Sequence, residues 1–321
     1  EGQIFGGPMY VIKNGLPKRM LPLAYFFALA GMIGCLPAFQ SNQLIQITGD
    51  LAFSEIENFN IFGGLALAGI TGIVVIGGLK RIAEVATFLV PLMGSIYFGA
   101  MLIALILNLD LVLPAFKLIL VDAFNGTAVA GGTFFGVLIY GVRRGAFSNE
   151  AGMGTESLVH GVAKVSNPVK QGLVAMTGPI FDTLIICTAT ALMILVSGVW
   201  ETSSSQGVTL TAEAFSILLG NFGGLILFTC VICFGLSTIF TYSYYGASCS
   251  RFLFGNFGMK FYIYLYIFSI FIYSIVPIDI AINIADGAFA LMAIPTLISA
   301  LWLAPKVMQA SKNYFKLVDN I

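Results

Sequence analysis

The feature that most restricts this chain is a run of apolar stretches, each close to the length that crosses a bilayer. A helical span needs about 20 mostly apolar residues. Eight stretches approach that, at about 20–47, 61–78, 82–107, 127–142, 172–199, 220–245, 261–276 and 280–303. Charged residues are only 9% of the chain against about 25% in a soluble domain, hydrophobic residues are 58%, and the mean hydropathy is +0.96. Fifteen basic and fifteen acidic residues cancel, so no charge excess attracts a polyanion. An ordinary soluble enzyme, a disordered chain and a nucleic-acid binder are excluded. The prediction is an all-α polytopic membrane protein with eight transmembrane helices.

The basic residues test that layout. If the eight helices alternate in direction, every Lys and Arg except Lys117 falls on one side. The positive-inside rule makes that side cytoplasmic and puts both ends of the chain there. The opposite loops carry Asp50, Glu55, Glu57, Glu201 and Glu213. Residues 109–125, broken by Pro114 and marked by Lys117 and Asp122, read as an interfacial helix. Residues 1–19 are a cytoplasmic lead-in without the pattern of a signal peptide, and 304–321 are a cytoplasmic tail. The chain begins at Glu1, and the expectation is a fragment whose true N-terminus lies upstream.

Familiar catalytic patterns do not occur. The five cysteines are odd in number and lie mostly in apolar runs, which argues against a disulfide framework. Cys230 and Cys233 form a CxxC inside an apolar helix, without a redox context. His160 stands alone, so no metal centre is expected. There is no P-loop, nucleophile elbow, HExxH or dinucleotide fingerprint.

Polar groups inside the apolar stretches are the informative ones, because a charge at the bilayer centre costs about 2.5–3.5 kcal/mol on insertion scales and normally faces a cavity or partner. Asp182, after Gly178-Pro179, and Asp286, after Asn283, read as cation ligands, proton carriers or gate partners, or as carboxylates wetted at a helix end. Gln40-Ser41-Asn42-Gln43 follows the breaker Pro37 and offers neutral oxygens suited to a zwitterion or a monovalent cation. Ser237, Thr238, Thr241 and Tyr242 fall in two pairs at helical spacing. They offer hydroxyls to sodium, or back-bond to the preceding turn. Gly131-Gly132-Thr133-Phe134-Phe135-Gly136 reads as a packing GxxxG or as an unwound segment at the midplane. Ser148 or Asn149 is expected to cap a helix that carries Glu150 in its first turn.

Several runs carry a resemblance: Gly6-Gly7-Pro8-Met9-Tyr10, Gly77-Gly78-Leu79-Lys80-Arg81-Ile82-Ala83, Arg144-Gly145-Ala146-Phe147-Ser148-Asn149-Glu150-Ala151-Gly152-Met153-Gly154, and Asn167-Pro168-Val169-Lys170-Gln171-Gly172. Phe181-Asp182-Thr183, Ser237-Thr238-Ile239 with Tyr244-Tyr245-Gly246, and Asn283-Ile284-Ala285-Asp286 follow in order. Together they resemble the alanine/glycine:cation symporter family. The resemblance implies a leucine-transporter-like inverted-repeat fold lacking its first two core helices, with residues 20–107 as three helices of the first repeat and 127–303 as five of the second.

The same resemblance implies a secondary active transporter in the plasma (inner) membrane, moving a small neutral amino acid, alanine or glycine, into the cell with sodium. Protons are the alternative coupling ion, and no organic cofactor, nucleic acid or enzymatic chemistry is implied. It assigns Gln40, Asn42, Thr133, Phe134, Thr238 and Tyr242 to the substrate, Ser237 and Thr238 to sodium, and Asp182, Glu150 and Asp286 to gating or coupling. Tyr242 stands where the family often has tryptophan, and Ala247-Ser248 replaces its usual acidic and basic pair. The competing expectations are a truncated, inactive fragment and, from another class, an ion channel.

Overall fold

The structure is a computed structural model that describes residues 5–124 and 133–318. Among the described residues the fold is helical throughout, without a strand. It opens with α1 (Pro8–Gly15), α2 (Leu21–Gly34) and α3 (Ala38–Ala52). The expected helix over 20–47 is therefore two helices. Pro37 has no N–H to donate and ends the first, while its carbonyl starts the second, accepting from the Ser41 N–H at 3.0 Å and from the Ser41 hydroxyl. Next come α4 (Phe59–Val75), α5 (Gly78–Leu107) and α6 (Leu109–Phe124). α6 runs unbroken through Pro114, contrary to expectation. Pro114, the sixth residue of the helix, withholds one intrahelical bond, the one to the Asp110 carbonyl, and the rest of the ladder continues past it.

After residues 125–132, which lie outside the description, come α7 (Thr133–Asn149) and α8 (Thr155–His160). α9 (Pro168–Pro179) starts on Asn167, whose side-chain oxygen accepts from the Val169 N–H at 2.9 Å. Its continuation, Ile180–Cys187, is π-helical and passes directly into α10 (Thr188–Ser197). Pro179 withholds the N–H that would close the preceding turn, and the ladder widens just beyond it. The short α11 (Val199–Thr202) and then α12 (Val208–Leu219) follow. α12 occupies what the sequence suggested was a plain loop. Ala212, Ala214 and Phe215 bury its inner face against α13 and α10.

The last two helices, α13 (Asn221–Ile275) and α14 (Ile278–Val318), are long. At about 1.5 Å per residue, 55 residues in a line would far exceed a hydrocarbon core of about 30 Å. α13 resolves this by turning at Gly255, whose φ of 67° and ψ of −155° are non-helical. The halves fold back on each other. The Tyr266 hydroxyl donates to the Ile239 carbonyl at 2.6 Å, and a side chain at Gly246 would collide with the Tyr262 ring. The two stretches expected at 220–245 and 261–276 are thus the arms of one hairpin.

By length and composition, five helices among the described residues suffice to cross a membrane: Lys18–Ala52, Gly78–Leu107, Pro168–Ser197, Phe222–Ile275 and Ile278–Leu317. That count is below the eight expected because Phe222–Ile275 holds two stretches, Phe59–Val75 is short, and the first part of the stretch expected at 127–142 lies outside the described residues. The exterior suits lipid. Phe88, Leu107, Leu113, Phe222 and Leu301 are each at least 70% exposed, an apolar coat that a soluble monomer avoids. The main core joins α1, α2, α3 and α13 through Met9, Phe27, Ile45, Ile239 and Tyr266.

Candidate functional site

A cavity of about 470 Å³ lies between α3, α5, α7, α10, α12 and α13. From α3 come Gln40 and Gln43, three residues apart and so on one face. From α13 come Thr238 and Tyr242, one turn apart, and from the end of α7 come Phe147, Ser148 and Glu150. Tyr97 of α5 and Thr190 of α10 share a hydrogen bond of 2.8 Å on the wall. Leu227, Val231, Phe234 and Ile186 make the rest of it apolar. The cavity thus has a polar end at α3, α7 and the middle of α13, and an apolar end beyond. Gln40 and Thr238 make no side-chain hydrogen bond to another described residue, so their polar atoms are available to a guest.

The stretch from Phe147 to Gly154 is built differently from the capping expected of it. α7 continues through Ser148 and Asn149, and the next helix begins only at Thr155. Ser148 donates to the Asp182 carboxylate. The Asn149 amide nitrogen donates to Thr183 at 3.0 Å, and its oxygen accepts from the Ala151 N–H at 2.9 Å. Both side chains are thereby committed to the π-helical segment and to the turn, and neither caps α8. Glu150 adopts φ 54°, a left-handed backbone uncommon outside glycine. Gly154, at φ 90°, is required on two counts. A Cβ there would lie 2.4 Å from Pro8, 2.7 Å from Thr296 and 2.9 Å from Phe27. The turn swings Glu150 off the axis of α7 and into the cavity, where its carboxylate accepts from the Tyr242 hydroxyl.

The residues singled out from the sequence separate accordingly. Gln40, Thr238, Tyr242 and Glu150 meet around the cavity. Asn42 does not, because its phase on α3 turns it toward the end of α13. There its amide donates to the carbonyls of Tyr273, at 3.2 Å, and Val276, at 2.7 Å. Ser237 likewise lies off the wall, buried and donating to the Phe234 carbonyl at 3.0 Å. Thr133 begins α7, but its side chain and that of Phe134 lie outside the described residues, as do Gly131 and Gly132. A Cβ on Gly136 would meet no atom within 4 Å, so no described helix packs on that end of the GxxxG. Gln43, part of the polar run read on α3 as a source of neutral oxygens though not assigned to the substrate, also lines the cavity, and Tyr97 and Thr190 were not foreseen.

Asp286 belongs to a second cavity of about 500 Å³, shared with Asn283 of α14 and with Ala146 and Phe147 of α7. Arg144 donates to the Asp286 carboxylate, and its guanidinium lies over the rings of Phe147 at 5.3 Å and Tyr140 at 5.6 Å. Phe147 therefore lines both cavities and stands between them. Among the described residues no cluster of histidine, cysteine or acidic side chains is arranged to hold a metal ion.

The profile of the sodium:alanine symporter family matches residues 1–320. An uncharacterized transporter of Bacillus subtilis (strain 168), YflA, is 36% identical over 98% of this chain and 67% of its own length. The sodium/alanine symporter AgcS of Methanococcus maripaludis is 34% identical over the whole chain and 71% of its own. The probable sodium/glutamine symporter GlnT of B. subtilis is 32% identical over 96% of the chain and 64% of its own length. The chain thus spans about two thirds of the length of these relatives. A match over nearly every residue, with several relatives above 30% identity, assigns the chain plainly: it belongs to the sodium:alanine symporter family.

Proposed function

We propose that this protein is a secondary transporter that carries a small neutral amino acid, alanine or glycine, into the cell together with sodium. The observation that supports this most is the central cavity. Gln40, Thr238, Tyr242 and Glu150 converge there inside a molecule whose outside is apolar. Relatives named for alanine and for glutamine point to the same class of cargo. No bond is made or broken in such a cycle. Sodium and substrate favour the same conformation, so each tightens the binding of the other, and the sodium gradient drives the turn.

In this reading the fold is a leucine-transporter-like inverted repeat with eight passes, the α13 hairpin supplying two, and both ends of the chain face the cytoplasm. Gln40 and Tyr242 contact the substrate, with Thr133 and Phe134 joining from the start of α7. Thr238 offers its hydroxyl to sodium, and Ser237 is set aside because its hydroxyl already serves Phe234. Phe147 is the door between the two cavities. The Arg144–Asp286 pair holds α7 against α14 and keeps that door shut, while Asp182 steadies the end of α7 through Ser148.

The test is uptake of labelled alanine and glycine by the full-length protein in vesicles. Saturable uptake that requires an inward sodium gradient supports the proposal. Equal uptake with and without that gradient rejects sodium coupling and turns attention to protons. Flux that never saturates favours a channel.

A further inference from the structure

The central cavity carries a single formal charge. Among the described residues on its wall Glu150 is the only ionisable side chain other than the phenols of Tyr97 and Tyr242, and none of them is Lys, Arg or His. Two further features give that end of the cavity the same sign. α7 ends at Asn149, so its C-terminal carbonyl dipoles lie at the Glu150 turn with their negative ends outward. Asp182, held by Ser148 two residues before Glu150, adds a second carboxylate behind the wall. A guest entering here meets negative potential at one end and the apolar surface of Leu227, Val231 and Phe234 at the other. A zwitterion has one group that matches the first, its ammonium.

We infer that Glu150, held in place by the Tyr242 hydroxyl, is the receptor for the α-ammonium group of the amino-acid substrate. The inference rests on the reading of this protein as an amino-acid carrier and goes further, by fixing which way round the cargo lies. The ammonium points to the turn after α7, and the side chain points toward Leu227 and Phe234. The Tyr242 hydroxyl donates to one carboxylate oxygen, Oε1. The Thr155 hydroxyl also lies beside the carboxylate; the lone pairs left over serve an N⁺–H donor, and a charge-assisted bond of this kind is about twice as strong as a neutral one. The left-handed backbone at Glu150 sends the carboxylate into the cavity rather than along the helix. The substrate carboxylate finds no cationic side chain on the wall, so it must be met by neutral donors or by the co-transported cation. This explains why a cavity with one fixed negative charge should want both sodium and a zwitterion.

The experiment measures equilibrium binding of labelled alanine to the purified full-length protein, competed with unlabelled alanine and with lactate, in which a hydroxyl replaces the ammonium. The wild type is expected to prefer alanine to lactate by on the order of a hundredfold, as a site that pairs a polar group rejects a ligand lacking it. In Glu150→Gln the affinity for alanine falls by about tenfold or more, lactate is unchanged, and the preference shrinks accordingly. Tyr242→Phe keeps the charge but loses the bond that aims it. It is expected to weaken alanine a few-fold without affecting lactate, and it serves if Glu150→Gln fails to fold. Glu156→Gln, on α8 away from the cavity, keeps the full preference. The inference is overturned if Glu150→Gln, or Tyr242→Phe in its place, retains the wild-type preference for alanine, including the case in which only sodium activation suffers. A wild type that binds alanine without any effect of sodium would sink the symport reading and leave the ammonium assignment to be judged on lactate alone. A wild type that binds neither alanine, glycine nor glutamine would sink both.

Discussion

Two polar runs, Gln40–Gln43 on α3 and Ser237–Tyr242 on α13, look alike in the sequence and are used alike in the structure, though not residue by residue. On α3, Gln40 and Gln43 face the cavity, while Ser41 and Asn42 between them donate to backbone carbonyls. On α13, Thr238 and Tyr242 face it, while Ser237 and Thr241 donate to the carbonyls of Phe234 and Ser237. The difference lies in what the off-cavity residues reach. Ser237 and Thr241 bond within their own helix, which was already complete. Asn42 crosses to α13 and satisfies carbonyls at a helix end that would otherwise lack partners. Adjacent polar residues in a span therefore divide between ligand and architecture according to helical phase, and the architectural ones differ in how much hangs on them.

The largest effect should come from Asn42→Ala. It leaves the Tyr273 and Val276 carbonyls unmet in a partly buried setting, at a cost of about 2 kcal/mol. A clearly lower melting temperature in detergent is expected, with unchanged alanine affinity in the molecules that remain folded. If affinity falls while melting is unaffected, Asn42 belongs to the site and the division drawn above is wrong. Thr238→Val comes next. It keeps the shape and removes the hydroxyl, and it should weaken sodium-dependent alanine binding by about tenfold, or about 1.4 kcal/mol, with melting unchanged. Normal sodium dependence in that variant would break the cavity assignment on α13.

A smaller change is expected for Gln40→Ala. Losing one neutral hydrogen bond to the guest, about 1 kcal/mol, should raise the half-saturating alanine concentration about fivefold and spare expression. Ser237→Ala should be nearly silent, within about 0.5 kcal/mol, because its hydroxyl only back-bonds within the helix. Loss of sodium-dependent uptake in Ser237→Ala would show that the hydroxyl serves the ion and not the helix.

Much of the architecture could be read without a structure, for identifiable reasons. The apolar stretches announce themselves by composition. Pro37 announces the break between α2 and α3 because it has no N–H to give. The return of the chain between 245 and 261 follows from length alone, since a straight helix of that extent has no place in a bilayer. What misled was local chemistry taken at face value. Ser148 and Asn149 have the composition of helix caps, yet their partners, Asp182 and Thr183, come from a segment more than thirty residues away. Val208–Leu219 looked like a loop because it is too short to span, but it packs Phe215 against Tyr97 with ring centroids 5.5 Å apart and helps close the cavity.

The sequence by itself determined that this chain is helical, coated in apolar side chains and interrupted by a few polar groups at prolines and glycines. Backbone satisfaction in a medium without water leaves a single chain of this kind little other choice. Only the tertiary structure decided which of those polar groups meet. That depends on the rotation of each helix about its own axis, set by packing against neighbours distant in sequence. One residue of phase, about 100°, separates Thr238 on the cavity wall from Ser237 in the packing beside it.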